Sequence, residues 1–288
     1  MTEANAPATD TAVLLEGLHF PECLRWHDGR LFFCDMYGDA VYAYDTARDQ
    51  LEKVAEVYHP GGIGWLPDGR MLAVASEDKK VFEVGAEGNE PYVDLGAVAP
   101  GWTNDMFVGR DGRAYVGNFG YDLFTEEMRP TQLIMVDTDR TVTIEPGELG
   151  FPNGMVRRSD GKLVVAETFA PALSLFEVGD DGHLTPAGRI EIDDDLTPDG
   201  MCIDAEDAVW FASVLTHEVV RVDVDGNSER LPVSQNAYAC MLGGEDRQTL
   251  FVATAPDHEP ANRRAAAEGR IEATRADVPG AGADGIGA

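Results

Sequence analysis

An apolar run, then Asp-Gly followed by Arg or Lys, then a second apolar run: this phrase recurs along the chain and constrains its fold more than any other feature. It reads "LRWHDGRLFFCD", "GWLPDGRMLAVAS", "MFVGRDGRAYVGN" and "MVRRSDGKLVVAE", with two looser copies in "MCIDAEDAVWFAS" and "CMLGGEDRQTLFVAT". The turn positions Gly29, Gly69, Gly112, Gly161 and Asp207 are spaced by 40, 43, 49 and 46 residues, and a sixth turn follows 40 residues later at Arg247. Asp-Gly between alternating apolar runs is a strong hairpin signal, because both residues accept the positive φ of a tight turn. Further strand candidates follow the hairpins, among them "AVYAYD", "KVFEVG", "QLIMVD", "ALSLFEVG" and "EVVRVDV", while helical periodicity is confined to "EPANRRAAAEG". Repeating units of about 40–50 residues with about four strands each describe propeller blades. The expected fold is therefore all-β, a single six-bladed β-propeller over residues 13–278, with 1–12 and 279–288 as flexible tails. An open blade would expose unpaired strand edges. Either "AVLLEG" or "GRIEATRAD" should thus complete a blade begun at the other terminus.

Composition narrows the partners. The chain carries 52 acidic against 22 basic residues, a net charge of -30, which argues against nucleic acid or an anionic membrane. No apolar run approaches the roughly 18 residues of a membrane helix. The polar start "MTEANAPATDTA" lacks the basic-then-apolar pattern of a signal peptide. These features predict a cytoplasmic protein, a monomer or weak homo-oligomer, acting on a small molecule. Cys23, Cys34, Cys202 and Cys240 form no CxxC pair and read as buried free thiols.

The repeat also supplies a register. Eight residues before each turn position stand Pro21, Gly61, Asn104, Asn153 and Asp199; seven before stand Glu22, Gly62, Asp105, Gly154 and Gly200. The sixth unit, counted from Arg247, offers Ala239 and Cys240. In a closed ring the innermost strands converge, so Asn104, Asn153, Asp199 and, one residue later, Glu22 meet at one mouth. Two carboxylates and two amide oxygens are hard ligands suited to Ca²⁺ or Mg²⁺. The second strand of each hairpin ends at Asp35, Asn118, Glu167 and Ser213, a second ring that could orient the first. After Asn118 comes the long loop "FGYDLFTEEMRPTQ", carrying Phe119, Tyr121 and Phe124, a candidate specificity wall. His59 and His258 are the two histidines placed near the mouth. No G-x-S-x-G elbow or Cys/His nucleophile pattern is present.

The order and spacing of "RWHDGRLFFCD" after an early Glu, "TNDMFVGRDGRAYVGN", "FPNGM" and "TPDGMCID" resemble the senescence marker protein/gluconolactonase/luciferin-regenerating enzyme family over roughly residues 13–280. The resemblance implies that Glu22, Asn153 and Asp199 bind one divalent metal, usually calcium, with zinc or magnesium in some members. It implies that Asn104 is a fourth ligand or a substrate contact, and that Asp199 is the catalytic base or nucleophile. Sugar-lactone members carry Arg where this chain has Trp102. Trp102, Phe119 and Tyr121 suit a flatter, less polar lactone or ester. The function expected is a metal-dependent lactonase or esterase-like hydrolase, with Trp102, Asn104, Asn118, Phe119, Tyr121, His59 and His258 contacting substrate and Glu167 supporting the ligands. The alternatives are the same metal site used for phosphotriester hydrolysis or an isomerase or lyase step, and a non-catalytic calcium-binding propeller.

Overall fold

The structure, a computed structural model, describes residues 11–123 and 125–282; Phe124 lies outside them. Six four-stranded antiparallel sheets stand as the blades of a β-propeller. Their innermost strands are Pro21–His27, Pro60–Trp65, Thr103–Val108, Pro152–Arg157, Pro198–Ile203 and Asn236–Gly243. Each pairs through its hairpin with the next strand in sequence. The one α-helix among the described residues, Pro260–Ala265, falls within the predicted segment.

Both terminal segments close the ring. Gly269–Arg275 is the third strand of blade six and Ala12–Leu18 its fourth, paired from Ala12↔Ala273 to Leu18↔Gly269. Residues 279–281 are hydrogen-bonded to the turns of blades five and six, through Ala205 N to Pro279 O at 2.8 Å, Gly280 N to Arg247 O at 2.8 Å and Ala281 N to Ile203 O at 3.1 Å.

Apolar side chains fill the wedges between neighbouring blades. Trp26 stacks on Phe251 across the junction of blades one and six, with ring centroids 5.6 Å apart. Phe33, Phe211 and Phe251 are fully buried. All four cysteines are free and buried.

Two details set what reaches the mouth. First, the blade-one hairpin closes with only Asp28 and Gly29 between His27 and Arg30, both at positive φ, as a two-residue primed turn requires. The other five hairpins span five residues, as from Val108 to Ala114. Second, every inner strand breaks register at its mouth end, for example between Pro152 and Met155 or between Pro198 and Met201. Such bulges re-aim side chains, and here they turn one residue of each blade toward the axis.

Candidate active site at the central mouth

Pro21, Thr103, Pro152 and Pro198 pair with Asp35, Asn118, Glu167 and Ser213 respectively. The next residue on each inner strand is Glu22, Asn104, Asn153 or Asp199. Glu22 therefore occupies the same register as the other three; its apparent one-residue offset is a product of the shorter turn.

Glycines make this convergence sterically feasible. A Cβ on Gly154 would lie 2.6 Å from Asp199 O and 2.7 Å from Met201 N, and one on Gly62 would lie 3.1 Å from Asn104 O. The Gly of "FPNGM" is thus a contact surface for the next inner strand, and Asn153 is the side chain this close approach presents. Gly200 makes the corresponding contact with Tyr238 O, at 2.9 Å, and with Ala239. Blade six therefore presents Tyr238 at the ring position. Its bulge lies between Ala237 and Ala239, which displaces the count that pointed to Ala239 and Cys240. Gly61 fills the blade-two position and brings no ligand atom.

Glu22, Asn104, Asn153, Asp199 and Tyr238 line one cavity of about 340 Å³ at the mouth. Burial pushes the Glu22 and Asp199 carboxyls well above the usual carboxylate range, and the charge of Asp199 adds to the effect on Glu22. Glu22 Oε1 is buried without a hydrogen-bond partner. Asn104 Nδ2 donates to Pro152 O and Asn153 Nδ2 to Thr168 Oγ1, each at 3.3 Å, leaving the amide oxygens as the atoms a cation could use. Thr168 in turn donates to Pro198 O at 2.9 Å, so it braces Asn153 against the next blade. Sequence reasoning missed this residue, which follows Glu167 by one. Two carboxylates, one with an orphaned oxygen, and two amides fit a hard divalent cation. Among the described residues no three His, Cys, Asp or Glu side chains form a metal-ligating group, so a cation here would rest on the mixed acid–amide set.

Beneath the site, Asp105 pairs with Arg25 at 2.7 Å, and Arg25 also donates to Met106 O at 2.9 Å. Both side chains are buried. This pair bridges blades one and three inside the channel. A wider depression of about 730 Å³ opens at the turn end and shares no lining residue with the mouth. Its acids are committed elsewhere: Asp204 to Trp210 and Arg221, Asp207 to Ser159.

Of the remaining candidates, Trp102, Phe119 and His258 line the cavity; His59, Asn118, Tyr121 and Glu167 do not. His59 lies behind Trp102, ring centroids 5.2 Å apart, with Glu77 2.8 Å from Nδ1 and Arg264 against Nε2. Tyr121 packs on Phe151 from outside, at 6.4 Å between centroids. Asn118 Oδ1 accepts from Gly120 N and Thr131 Oγ1, at 3.0 and 2.7 Å, fixing the root of the long loop. The second ring holds backbone: Glu167 accepts from Gly150 N at 2.6 Å, Asp35 from Phe20 N at 2.6 Å and Ser213 from Thr197 N at 3.2 Å.

Comparison with known proteins gives the same lineage. A pentonolactonase of Haloferax volcanii is 26% identical over 240 residues, covering 80% of this chain and 79% of the relative. The regucalcin of Sus scrofa is 36% identical over 262 residues, covering 85% and 86%. Among solved structures, a luciferin-regenerating enzyme superposes with TM-score 0.78 at 14% identity, over 94% and 96% of the two chains. A calcium-binding regucalcin from Agrobacterium tumefaciens gives 0.76 at 19% identity, over 93% and 94%. No helix among the described residues is long and apolar enough to cross a membrane. With the SMP-30/gluconolactonase/LRE-like family model matching residues 20–256, the chain belongs to that family.

Proposed function

We propose that the protein is a divalent-metal-dependent hydrolase that opens a lactone, or cleaves a related ester, at the central mouth. The observation that carries this reading is the juxtaposition of Glu22 and Asp199, two buried carboxyl groups in one cavity, with Glu22 Oε1 lacking any partner. Such a pair calls for a cation, and Glu22, Asn104, Asn153 and Asp199 would hold it, with calcium preferred over zinc or magnesium. When bound, the cation supplies Lewis-acid polarisation of the substrate carbonyl.

The chain's own residues supply the rest. Asp199 takes a proton from the attacking water; the new C–O bond forms at the carbonyl carbon, the ring C–O bond breaks, and the proton passes to the leaving oxygen. In the nucleophilic variant, Asp199 attacks the carbonyl carbon, the ring C–O bond breaks and the leaving alkoxide takes a proton from water. The hydroxide so formed cleaves the resulting anhydride, restoring Asp199 and releasing the hydroxy acid. The Tyr238 hydroxyl, buried without a partner, is a donor for a substrate oxygen. The apolar walls of the cavity exclude bulk water. The pentonolactonase relative supports the hydrolase class. The regucalcin structure described as calcium-binding supports the choice of metal and keeps a non-catalytic calcium binder as the second reading.

The test is Asp199→Asn assayed at saturating calcium on a panel of lactones and esters. The substitution keeps one oxygen ligand and removes the proton acceptor, so turnover should fall by roughly 10²-fold or more. Near-normal turnover would move the catalytic role to Glu22 or His258. A wild-type protein that binds calcium yet turns over nothing in the panel favours the binder.

A further inference from the structure

Two residues before each acid or amide of the mouth stands a wall residue: Phe20 before Glu22, Trp102 before Asn104, Phe151 before Asn153, Thr197 before Asp199. All eight line the cavity. Each wall residue lies immediately before the first residue of an inner strand, so the wall is built at the strand entries that also present the candidate ligands, and three of its four members are aromatic. Its rings continue around the rim: Trp102 to Phe119 at 6.0 Å, Phe119 to Phe151 at 4.5 Å, Phe151 to Phe169 at 4.8 Å between centroids. On the opposite side, Phe20 packs on Tyr37 at 5.4 Å and Tyr238 at 4.5 Å. Phe151 is held at φ 65, a left-handed conformation that costs energy for a bulky residue and persists where surroundings enforce it. Those surroundings are Glu167, bonded to Gly150 N, and Thr168 N, bonded to Phe151 O at 3.2 Å.

No Lys or Arg among the described residues lines the cavity. Beyond the four acid and amide side chains, its polar side-chain groups among the described residues are Thr168, Thr197, the indole N–H of Trp102, the phenol oxygens of Tyr37 and Tyr238, and His258, and the Thr168 hydroxyl is already spent on Pro198 O. A polyhydroxylated ring entering here would leave hydroxyls unpaired against apolar walls, at the full desolvation penalty. A carboxylated or phosphorylated substituent would meet two acids and no cationic side chain.

Resting on the hydrolase reading above, we infer that the substrate is an uncharged lactone or ester bearing a flat aromatic or alkyl substituent, seated between the Phe20–Tyr238 and Trp102–Phe151–Phe169 walls. Its carbonyl faces the acid–amide ring and its apolar body replaces water along the rings. The volume of about 340 Å³ falls in the small-ligand range.

The experiment uses the full chain with calcium and two readouts. Hydrolysis is measured on a phenyl-substituted γ-lactone, on δ-lactones of increasing alkyl length, and on glucono-δ-lactone. Binding is measured calorimetrically with the phenyl-substituted γ-lactam and with gluconolactam, which mimic the rings and resist hydrolysis. The expected result is a kcat/KM at least about tenfold higher for the phenyl lactone than for glucono-δ-lactone, rising up to roughly fourfold per added methylene until the cavity is full. The phenyl lactam should bind and gluconolactam should not. Phe169→Ser, at a 45% exposed rim position that should tolerate change, should lower kcat/KM for the phenyl lactone about fivefold and shrink its advantage over the sugar lactone. Faster hydrolysis or tighter binding of the sugar ring overturns the inference and leaves the hydrolase reading intact. Binding of the phenyl lactam without turnover of any lactone or ester overturns the hydrolase reading and leaves the ligand class standing. Binding of neither lactam overturns the inference.

Discussion

Gly154 shows how tightly one residue can be bound to the chemistry of its neighbour. Its missing Cβ is the space in which the inner strand of blade five passes, 2.6 Å from the place a side chain would start. Gly154→Ala should therefore push Asp199 and Asn153 apart. We expect about 1–3 kcal/mol of destabilisation from overpacking backbone against backbone and weaker calcium binding, both readable from thermal melts with and without calcium. Glu22 and Asp199 give a pH prediction. Their folded-state pKa values are raised by burial, so without a cation their contribution to stability is full below the ordinary carboxylate range of about 4. It is lost as pH rises through the folded values. A bound cation removes that loss, because it binds the ionised forms. The gap in melting temperature between calcium-loaded and chelator-treated protein should widen from pH 5 to pH 8; a constant gap would refute the coupling. Asn104, Asn153 and Asp199 could be placed from the chain alone because their hairpins have equal lengths. Glu22 read one position late because a two-residue turn replaces a five-residue one, and Tyr238 was invisible because its bulge lies at a different point of the strand. Both are differences of backbone geometry that side-chain chemistry does not announce.

At the level of strands and loops, the hairpins were legible because Asp-Gly carries its own conformational signature, and the wall was not. Phe151 faces the cavity through a left-handed backbone angle enforced by Glu167 and Thr168, contacts between segments that no local pattern encodes. The second ring was expected to orient ligands; its hydrogen bonds instead fix the chain that carries the wall. Asp35→Ala would release the Phe20 and His19 amides, bonded at 2.6 and 3.1 Å. The expected cost is about 1–3 kcal/mol, with a larger effect on KM than on kcat if Phe20 packs against the body of the substrate as proposed. Ring closure was ambiguous from sequence, since either terminal strand could have served, and both do. Removing residues 1–18 should leave Gly269–Arg275 as an open edge and produce a less stable protein prone to self-association, measurable by melting and by light scattering. An unchanged, monodisperse truncation would show that the outermost strand is dispensable.

For the molecule as a whole, the net charge of -30 is a self-repulsion spread over every blade. With calcium saturating, raising sodium chloride from about 10 to 150 mM should raise the melting temperature, because screening relieves that repulsion by more than it weakens exposed ion pairs worth about 0–1 kcal/mol each. The Arg25–Asp105 bridge belongs to the same scale, since it ties blade one to blade three across the axis. A propeller is often drawn as a tube, but here the mouth cavity and the depression at the turn end share no lining residue, and the buried Arg25–Asp105 pair lies beneath the site. A ligand that enters at the mouth would then leave by that same doorway. For a lactone opened at the floor, the departing molecule is a newly formed carboxylate next to Glu22 and Asp199, and nothing can enter behind it until it has gone. Hydroxy-acid product should then inhibit competitively against substrate, with a pattern of intersecting lines on the rate axis. Traffic through the doorway, rather than bond breaking, would set the pace at high turnover.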